Sequence, residues 1–349
     1  VGCTIRVEQP GLLTTIQDQG RRNFLPSALS RGGAQDLTAL ATANLLVGND
    51  ESAAGLEITG LGPTLFFENR VCIACCGAPV KAIASFGKDQ KDLSIPLPLH
   101  RPVIIPAGAT IRFAHFLRGF RAWIAFAGGI DSPVLLESRS SHLAAELGPL
   151  RVTAKTRLML GPAAAPQTDR VFLRISPAHA HEAASMGPGA VVAPKWSLAN
   201  HLLDEWPVLT IPVVPGRHFQ HLADSQRQVL FGTQWLVEPR SNRQGLALSG
   251  PALKTSEMPQ IMSEPVRFGT VQLPSGGKPF VLMSEHQTTG GYPRVLEVIS
   301  AARPLLAQAS PESRIVFLPV DFEQAKERSA LCLKDQLRTR TALKEKLGW

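Results

Sequence analysis

No window of this 349-residue chain holds the roughly 18 uninterrupted apolar residues of a membrane-crossing helix, which argues against a membrane span. Its first residues, "VGCTIRVEQPGLLTT", lack the basic start, apolar core and small-residue cleavage site of a secretory signal, so a cytoplasmic protein is expected. The five cysteines, Cys3, Cys72, Cys75, Cys76 and Cys332, are odd in number and lack the spacing of a disulfide framework, which suits a reducing compartment. Cys72 and Cys75 form a C-x-x-C, but no second pair follows at finger spacing to complete the four ligands of a closed zinc site, and "RVCIACCGAP" reads as a buried strand. No metal is expected. Phosphate-loop motifs are missing as well: "SGGKPF" (275–280) has Pro279 where a Ser or Thr must hold magnesium, and no G-x-G-x-x-G follows an apolar run. "SFGK" (85–88) satisfies S-x-x-K without that motif's companions. Aromatics make up only 6% of the chain and few stand among basic residues, so a net charge of +8 does not amount to a stacking groove for nucleic acid. Much of that charge is terminal. From Gln324 to Trp349 seven Lys or Arg face three Asp or Glu, and Leu333, Leu337 and Leu343 or Leu347 fit an amphipathic helix, either a solvated face or a partner-binding tail.

What the chain does have is a globular balance, 44% hydrophobic and 18% charged, with length enough for two domains. Its 29 glycines and 28 prolines punctuate many short apolar runs, among them "VCIACC", "ATIRFAHF", "RAWIAFAGG", "PVLTIPVV", "PFVLMS" and "RIVFLPV". Such runs at intervals of about ten residues predict a mainly β protein with its sheets closed into barrels or sandwiches. Helical patterns are few. "AQDLTALATANLLVGN" sets Leu37, Leu40, Ala41, Asn44 and Leu45 on one face and stops at Gly48, a C-terminal cap; a second pattern starts at Pro293 and runs through "VLEVISAA" to Pro304; the tail is the third. Between about 150 and 206 the composition loosens, as in "GPAAAPQTD" and "SPAHAHEAASMGPGAVVAPKW", marking a boundary. The expected domains are 1–205, 206–320 and a basic helical tail, 321–349. "TTIQDQGR" faintly echoes "HQTTGGYPR", as two related barrels would.

Candidate chemistry lies in polar loops at the ends of apolar runs. "HAHE" (179–182) has metal-capable side chains but sits in the loose stretch, where a solvated loop is the plainer reading. "TTIQDQGRR" holds Gln17, Asp18 and Arg21; "GGIDSPVLLESRSS" holds Asp131, Arg139 and Ser140; "EPRSNRQGLALSG" holds Arg240 and Arg243. An arginine fork matches carboxylate and phosphate oxygens, so these loops suit an anionic substrate, although each arginine could instead close its own loop on backbone carbonyls. The richest stretch is "FVLMSEHQTTGGYPRVLEVIS" (280–300), which contains the chain's one tyrosine, Tyr292. If a helix starts at Pro293, residues Gln287 to Gly291 form a donor-rich anion cradle at its positive end. Gly290 and Gly291 then permit close approach, Thr288 and Thr289 add hydroxyls, and His286 beside Glu285 offers a proton-transfer group near neutral pH.

These residues also carry a resemblance. "PGLLTTIQDQGR", "ANLLVGN…AAGLEITGLGPTL", "AFAGGIDSPVLLESRSS", "RSNRQGLALSGP" and "SEHQTTGGYPRVLEVISA" look like the successive motifs of the carboxyltransferase-domain family, over residues 5 to 318. That family includes the C-type subunit of 5-oxoprolinase, long called allophanate hydrolase subunit 2, and the carboxyltransferase region of urea carboxylase. It implies two cyclophilin-like β-barrel domains sharing a cleft that holds the substrate. It also implies a hetero-oligomeric hydrolase in which a small B-type subunit of the same barrel fold and an A-type subunit help open 5-oxo-L-proline to glutamate at the expense of ATP, bound somewhere in the complex. The related carboxylase transfers a carboxyl group from biotin to urea. No methionine here is followed by lysine, so biotin would have to ride on another chain. A third reading, a regulatory module acting on a protein inhibitor of a sensor kinase, also belongs to the family. On the first of these readings His286, Glu285 and Asp18 are the expected catalytic residues, with His286 moving protons, and Gln17, Arg21, Arg139, Ser140, Arg243, Gln287, Thr288, Thr289, Gly290, Gly291 and Tyr292 are expected to hold a small amide or carboxylate substrate. The chain departs from the expected pattern at Glu285, where Asp is usual, at Arg217 and His218, and in the length of 163–206.

Overall fold

A computed structural model describes residues 2–86, 93–175, 191–199, 203–204, 206–311 and 313–349; the "HAHE" run and the last two residues of "SFGK" lie outside them. The chain forms two compact units that are interleaved in sequence. One comprises Val1–Gly20, Asp36–His201 and Leu337–Trp349, the other Arg21–Gln35 and Leu202–Gln336. Residues 21–35 and 337–349 thus each belong to a unit other than the one their position along the chain suggests.

In the first unit an antiparallel five-stranded sheet runs in the order Leu13–Gln17, Gly55–Thr59, Arg121–Phe126, Val71–Gly77, Val103–Ile105. Its three central strands are buried at every residue, including the polar Glu57, Thr59 and Arg121, and Val71–Gly77 reads in sequence as a continuous apolar run. The expected helix is present as Leu37–Leu46 and packs on Val71–Gly77 and Arg121–Phe126, burying Leu40, Ala43, Leu45 and Leu46. Asp36 caps its start, accepting from the Thr38 and Ala39 N–H groups at 2.9 and 3.0 Å, and Gly48 ends it at φ 81°, a conformation L side chains rarely adopt. A second sheet has six strands in the order Arg157–Met159, Thr4–Gln9, Thr64–Phe67, Thr110–Phe116, Val80–Phe86, Leu93–Pro96. Its strands Val80–Phe86 and Thr110–Phe116 alternate buried and more exposed residues, as a sheet with one wetted face does. The described strand pairings give two sheets in this unit.

The second unit contains the closed barrel, of seven strands: Val208–Pro215, Arg294–Val298, Thr270–Gln272, Phe280–Leu282, Gly245–Ser249, Trp235–Val237 and Arg314–Pro319, the last returning to pair in parallel with the first. Here one sequence expectation is corrected. The residues after Pro293 are a strand, Arg294–Val298, and not a helix. Four of its five residues are buried, so the sequence shows no two-residue alternation, while Val295 and Val298 are β-branched and favour the extended chain. Pro304 does not end a helix either; it stands in the first turn of a short one, Arg303–Ala307.

Three further α-helices are present among the described residues, Ala164–Ile175, Asp224–Gly232 and Phe322–Leu347. Ala164–Ile175 forms in the stretch read as loose, burying Ala164, Thr168 and Val171 at i, i+4, i+7, with Thr168 Oγ1 accepting the Cys72 N–H at 2.9 Å. The tail helix is Phe322–Leu347, whose buried residues are Leu343 and Leu347. Beyond it Trp349 lies against Gly48, where a Cβ would come within 2.3 Å of its ring.

Candidate functional site

In the first unit the strand Leu13–Gln17 delivers Gln17 and Asp18 to a polar knot. Asp18 Oδ1 accepts from the Gly20 N–H at 2.8 Å and the Ser138 and Ser140 hydroxyls at 2.6 and 2.5 Å, and Oδ2 accepts from the Arg139 N–H at 2.6 Å. The Asp18 N–H in turn donates to Ser140 Oγ at 2.8 Å. A carboxylate with four donors is a clamp between two loops, and abstracting a substrate proton would cost it one of those bonds. The clamp steadies a turn in which Leu136 and Glu137 both have φ above 50°, strain that glycine-free sequences rarely carry. The Arg139 guanidinium is turned toward Asp131, 3.1 Å away, so its charge is already answered. Gln17 is fully buried, with Nε2 donating to Thr15 Oγ1 and the Ser141 carbonyl, while its Oε1 has no partner.

In the second unit the structure brings Arg243 and Glu285 together. The Arg243 Nε donates to Glu285 Oε1 at 2.5 Å and Nη2 to the Gly33 carbonyl at 2.6 Å and Ser284 Oγ at 3.2 Å, and both charged side chains are almost wholly buried. Backbone bonds lock the pair further, since the Glu285 N–H donates to the Arg243 carbonyl at 2.9 Å and Gly32 N–H to the Ser284 carbonyl at 3.1 Å. Each group thus supplies the other's counter-charge, so Arg243 is not available to a substrate anion on these terms and Glu285 is not a solvated base. Arg21, also fully buried, donates its backbone N–H to the Arg31 carbonyl at 2.7 Å.

The loop that follows is supported by strands. His286 Nδ1 lies 2.6 Å from the Gln287 carbonyl, so Nδ1 carries the proton there and Nε2 is the basic nitrogen. Gln287 Nε2 donates to Gln272 Oε1 at 3.2 Å, and Gly290 passes so close to Gln272 that a Cβ would sit 2.4 Å from its Nε2. Thr289–Gly290 pairs with Glu264–Pro265 in a two-stranded ribbon, and the Thr288 carbonyl accepts from the Val266 N–H. Gln287, Thr289, Gly291 and Tyr292 remain exposed. Because no helix follows Pro293, no helix dipole is present to make an anion cradle of Gln287 to Gly291. Sequence reasoning missed Gln272, Ser138 and Ser284. Only Gln272 left a signal, an amide inside the apolar strand run "TVQL", and its Nε2 is buried with no partner.

The family described as carboxyltransferase domain, subdomain A and B, matches residues 27–319. The chain belongs to that family. It is 32% identical over 321 residues to the C-type subunit of 5-oxoprolinase from Escherichia coli, covering 92% of this chain and 93% of that one. It is 28% identical over 342 residues to a urea amidolyase from Lachancea kluyveri, covering 93% of this chain but 17% of that much longer protein. The solved structure of the K. lactis urea amidolyase superposes with a TM-score of 0.78 at 22% identity, over 97% of this chain and 20% of that one, which shows a shared carboxyltransferase-domain fold. Among the described residues no helix is long and apolar enough to cross a membrane.

Proposed function

We propose that this chain is the C-type subunit of a 5-oxoprolinase-type hydrolase, opening 5-oxo-L-proline to glutamate at the expense of ATP together with a small B-type subunit and an A-type subunit. The observation that carries the reading is the end-to-end match to the C-type protein of Escherichia coli, which spans nearly all of both chains. Opening a cyclic amide needs stabilisation of the developing oxyanion and a proton for the departing nitrogen. On this reading His286 Nε2 moves the proton while the Gln287 carbonyl holds Nδ1–H, and the Arg243–Glu285 pair fixes the backbone from which His286 and the exposed Gln287 project. Asp18 and Ser140 act by clamping the 138–140 turn. No residue of this chain is assigned to ATP, because "SGGK" (275–278) is a turn leading into the strand Phe280–Leu282 with no helix to receive phosphates.

A second reading, the carboxyltransferase component of a biotin-dependent urea or amide carboxylase, is favoured by the urea amidolyase match over 93% of this chain. Biotin would then be carried by another chain. The test is co-purification with candidate A-type and B-type partners and an assay of ATP-dependent glutamate release from 5-oxoproline. His286→Ala is expected to lower turnover by a factor on the order of 10² or more while leaving partner binding intact. A reconstituted complex that ignores 5-oxoproline but carboxylates urea from a biotinylated carrier would replace the first reading with the second.

A further inference from the structure

We infer that the second unit carries an oxyanion-binding site, built on Arg217, Arg267, Arg294 and Arg303, for a small phosphate- or carboxylate-bearing molecule. Three guanidinium groups here share two carboxylates, and a fourth, that of Arg303, lies within electrostatic reach of Arg267 and Glu297. Glu264 bridges the first pair, with Oε2 2.9 Å from Arg217 Nη1 and Oε1 2.6 Å from Arg294 Nε. Glu297 serves the second, with Oε2 3.1 Å from Arg267 Nε and Oε1 3.9 Å from Arg294 Nη1. Among the described residues two positive charges are left over. The Glu297 Oε2 also accepts the Thr270 hydroxyl at 2.9 Å, which uses further acceptor capacity.

The surplus charge faces outward. Arg217 and Arg267, the ends of this chain of charges, have side chains 68% and 66% exposed, whereas the two carboxylates are 16% and 9% exposed. Anions are therefore buried beneath cations, which is the order expected where a further anion is to be received. Arg303 supplies an independent sign. Its guanidinium stacks 5.5 Å from the Phe268 ring and its Nε is buried with no acceptor. Burial and the neighbouring Arg267 both act against its charge, with Glu297 opposing, and an anion beside it would act in the same sense as Glu297.

His218, beside Glu264, does not add to the positive charge. Its Nδ1 accepts the Arg294 N–H at 3.1 Å, and burial lowers its pKa against the pull of Glu264. The scaffold is stiff, because Glu264 and Pro265 pair with Thr289–Gly290 and Arg294 stands in register with Gln272 in the barrel wall. Planar guanidinium forks held on such strands suit bidentate contact with phosphate or carboxylate oxygens. The site does not depend on the hydrolase reading above.

The experiment uses the full chain, titrated with inorganic phosphate and, separately, with succinate, at ionic strength matched with chloride, and read by thermal shift and calorimetry. We expect one of the two to raise the midpoint saturably, phosphate marking a phosphoryl ligand and succinate a carboxylate one, with the shift lost in Arg217→Gln/Arg267→Gln. Glu264→Gln, which removes a competing carboxylate, should tighten binding several-fold. A purely structural ion network predicts the opposite pattern: no saturable shift in the parent, or an equal shift in the double variant, and only lost stability in Glu264→Gln. Any of these results overturns the site.

Discussion

Arg243 and Glu285 are worth more by being kept together than either is alone. Removing one partner strands the other's charge in the interior, so Glu285→Gln or Arg243→Met should each cost roughly 3 to 5 kcal/mol in urea unfolding, while the double replacement should recover much of the loss. A near-additive double-mutant cycle would show the pair to be uncoupled. Asp36 makes a second prediction. Burial pushes its carboxyl up to about 6, the Thr38 and Ala39 bonds oppose, and Glu57 adds to the rise. A carboxyl that holds its proton more tightly when folded stabilises the fold below its unfolded value of about 4, and this contribution is lost as pH climbs through about 6. Relative to Asp36→Asn, which keeps a capping amide, the parent should lose on the order of 2 to 3 kcal/mol between pH 4 and pH 7, measured by denaturation at both. At this scale the sequence told which polar residues mattered better than what they do. It singled out Arg243, Glu285, Asp18 and Ser140, but pairing across 42 or 122 positions is set by the fold and leaves no local trace.

Among the elements, legibility followed burial geometry. The helix Leu37–Leu46 was readable because it has an Asp cap, a glycine stop and apolar residues at helical spacing. Arg294–Val298 was not, because a barrel strand buried on both sides offers the same dense apolar run as a buried helix, and a preceding proline fits the start of either. Ala164–Ile175 was hidden by its alanines and Pro166, which mimic a linker, although Ala164, Thr168 and Val171 keep helical spacing. The tail helix buries little, and its stability should be correspondingly uneven. Leu343→Ala, at a buried position, is expected to cost about 2 to 4 kcal/mol, and Leu333→Ala, at an exposed one, no more than about 0.5 kcal/mol. Thermal melts followed by circular dichroism would separate the two, and equal losses would mean the outer face of the helix is covered in solution.

For the whole molecule, the interleaving of the two units matters more than their number. The first unit includes 337–349 and the second includes 21–35, so neither can be cut out as one continuous segment. Ending the chain after Gln336 should therefore destabilise the first unit, whose sequence lies mostly far upstream, and should speed proteolysis within residues 36–201 while leaving the barrel strands Val208–Pro215 and Arg314–Pro319 resistant. Equal protection of both units would show that the terminal segment adds nothing. The seat of Trp349 against Gly48 carries this further. Translation reaches Trp349 only after the barrel strands have been made, so the Gly48–Trp349 contact forms later than the strands that lie between the two residues along the chain.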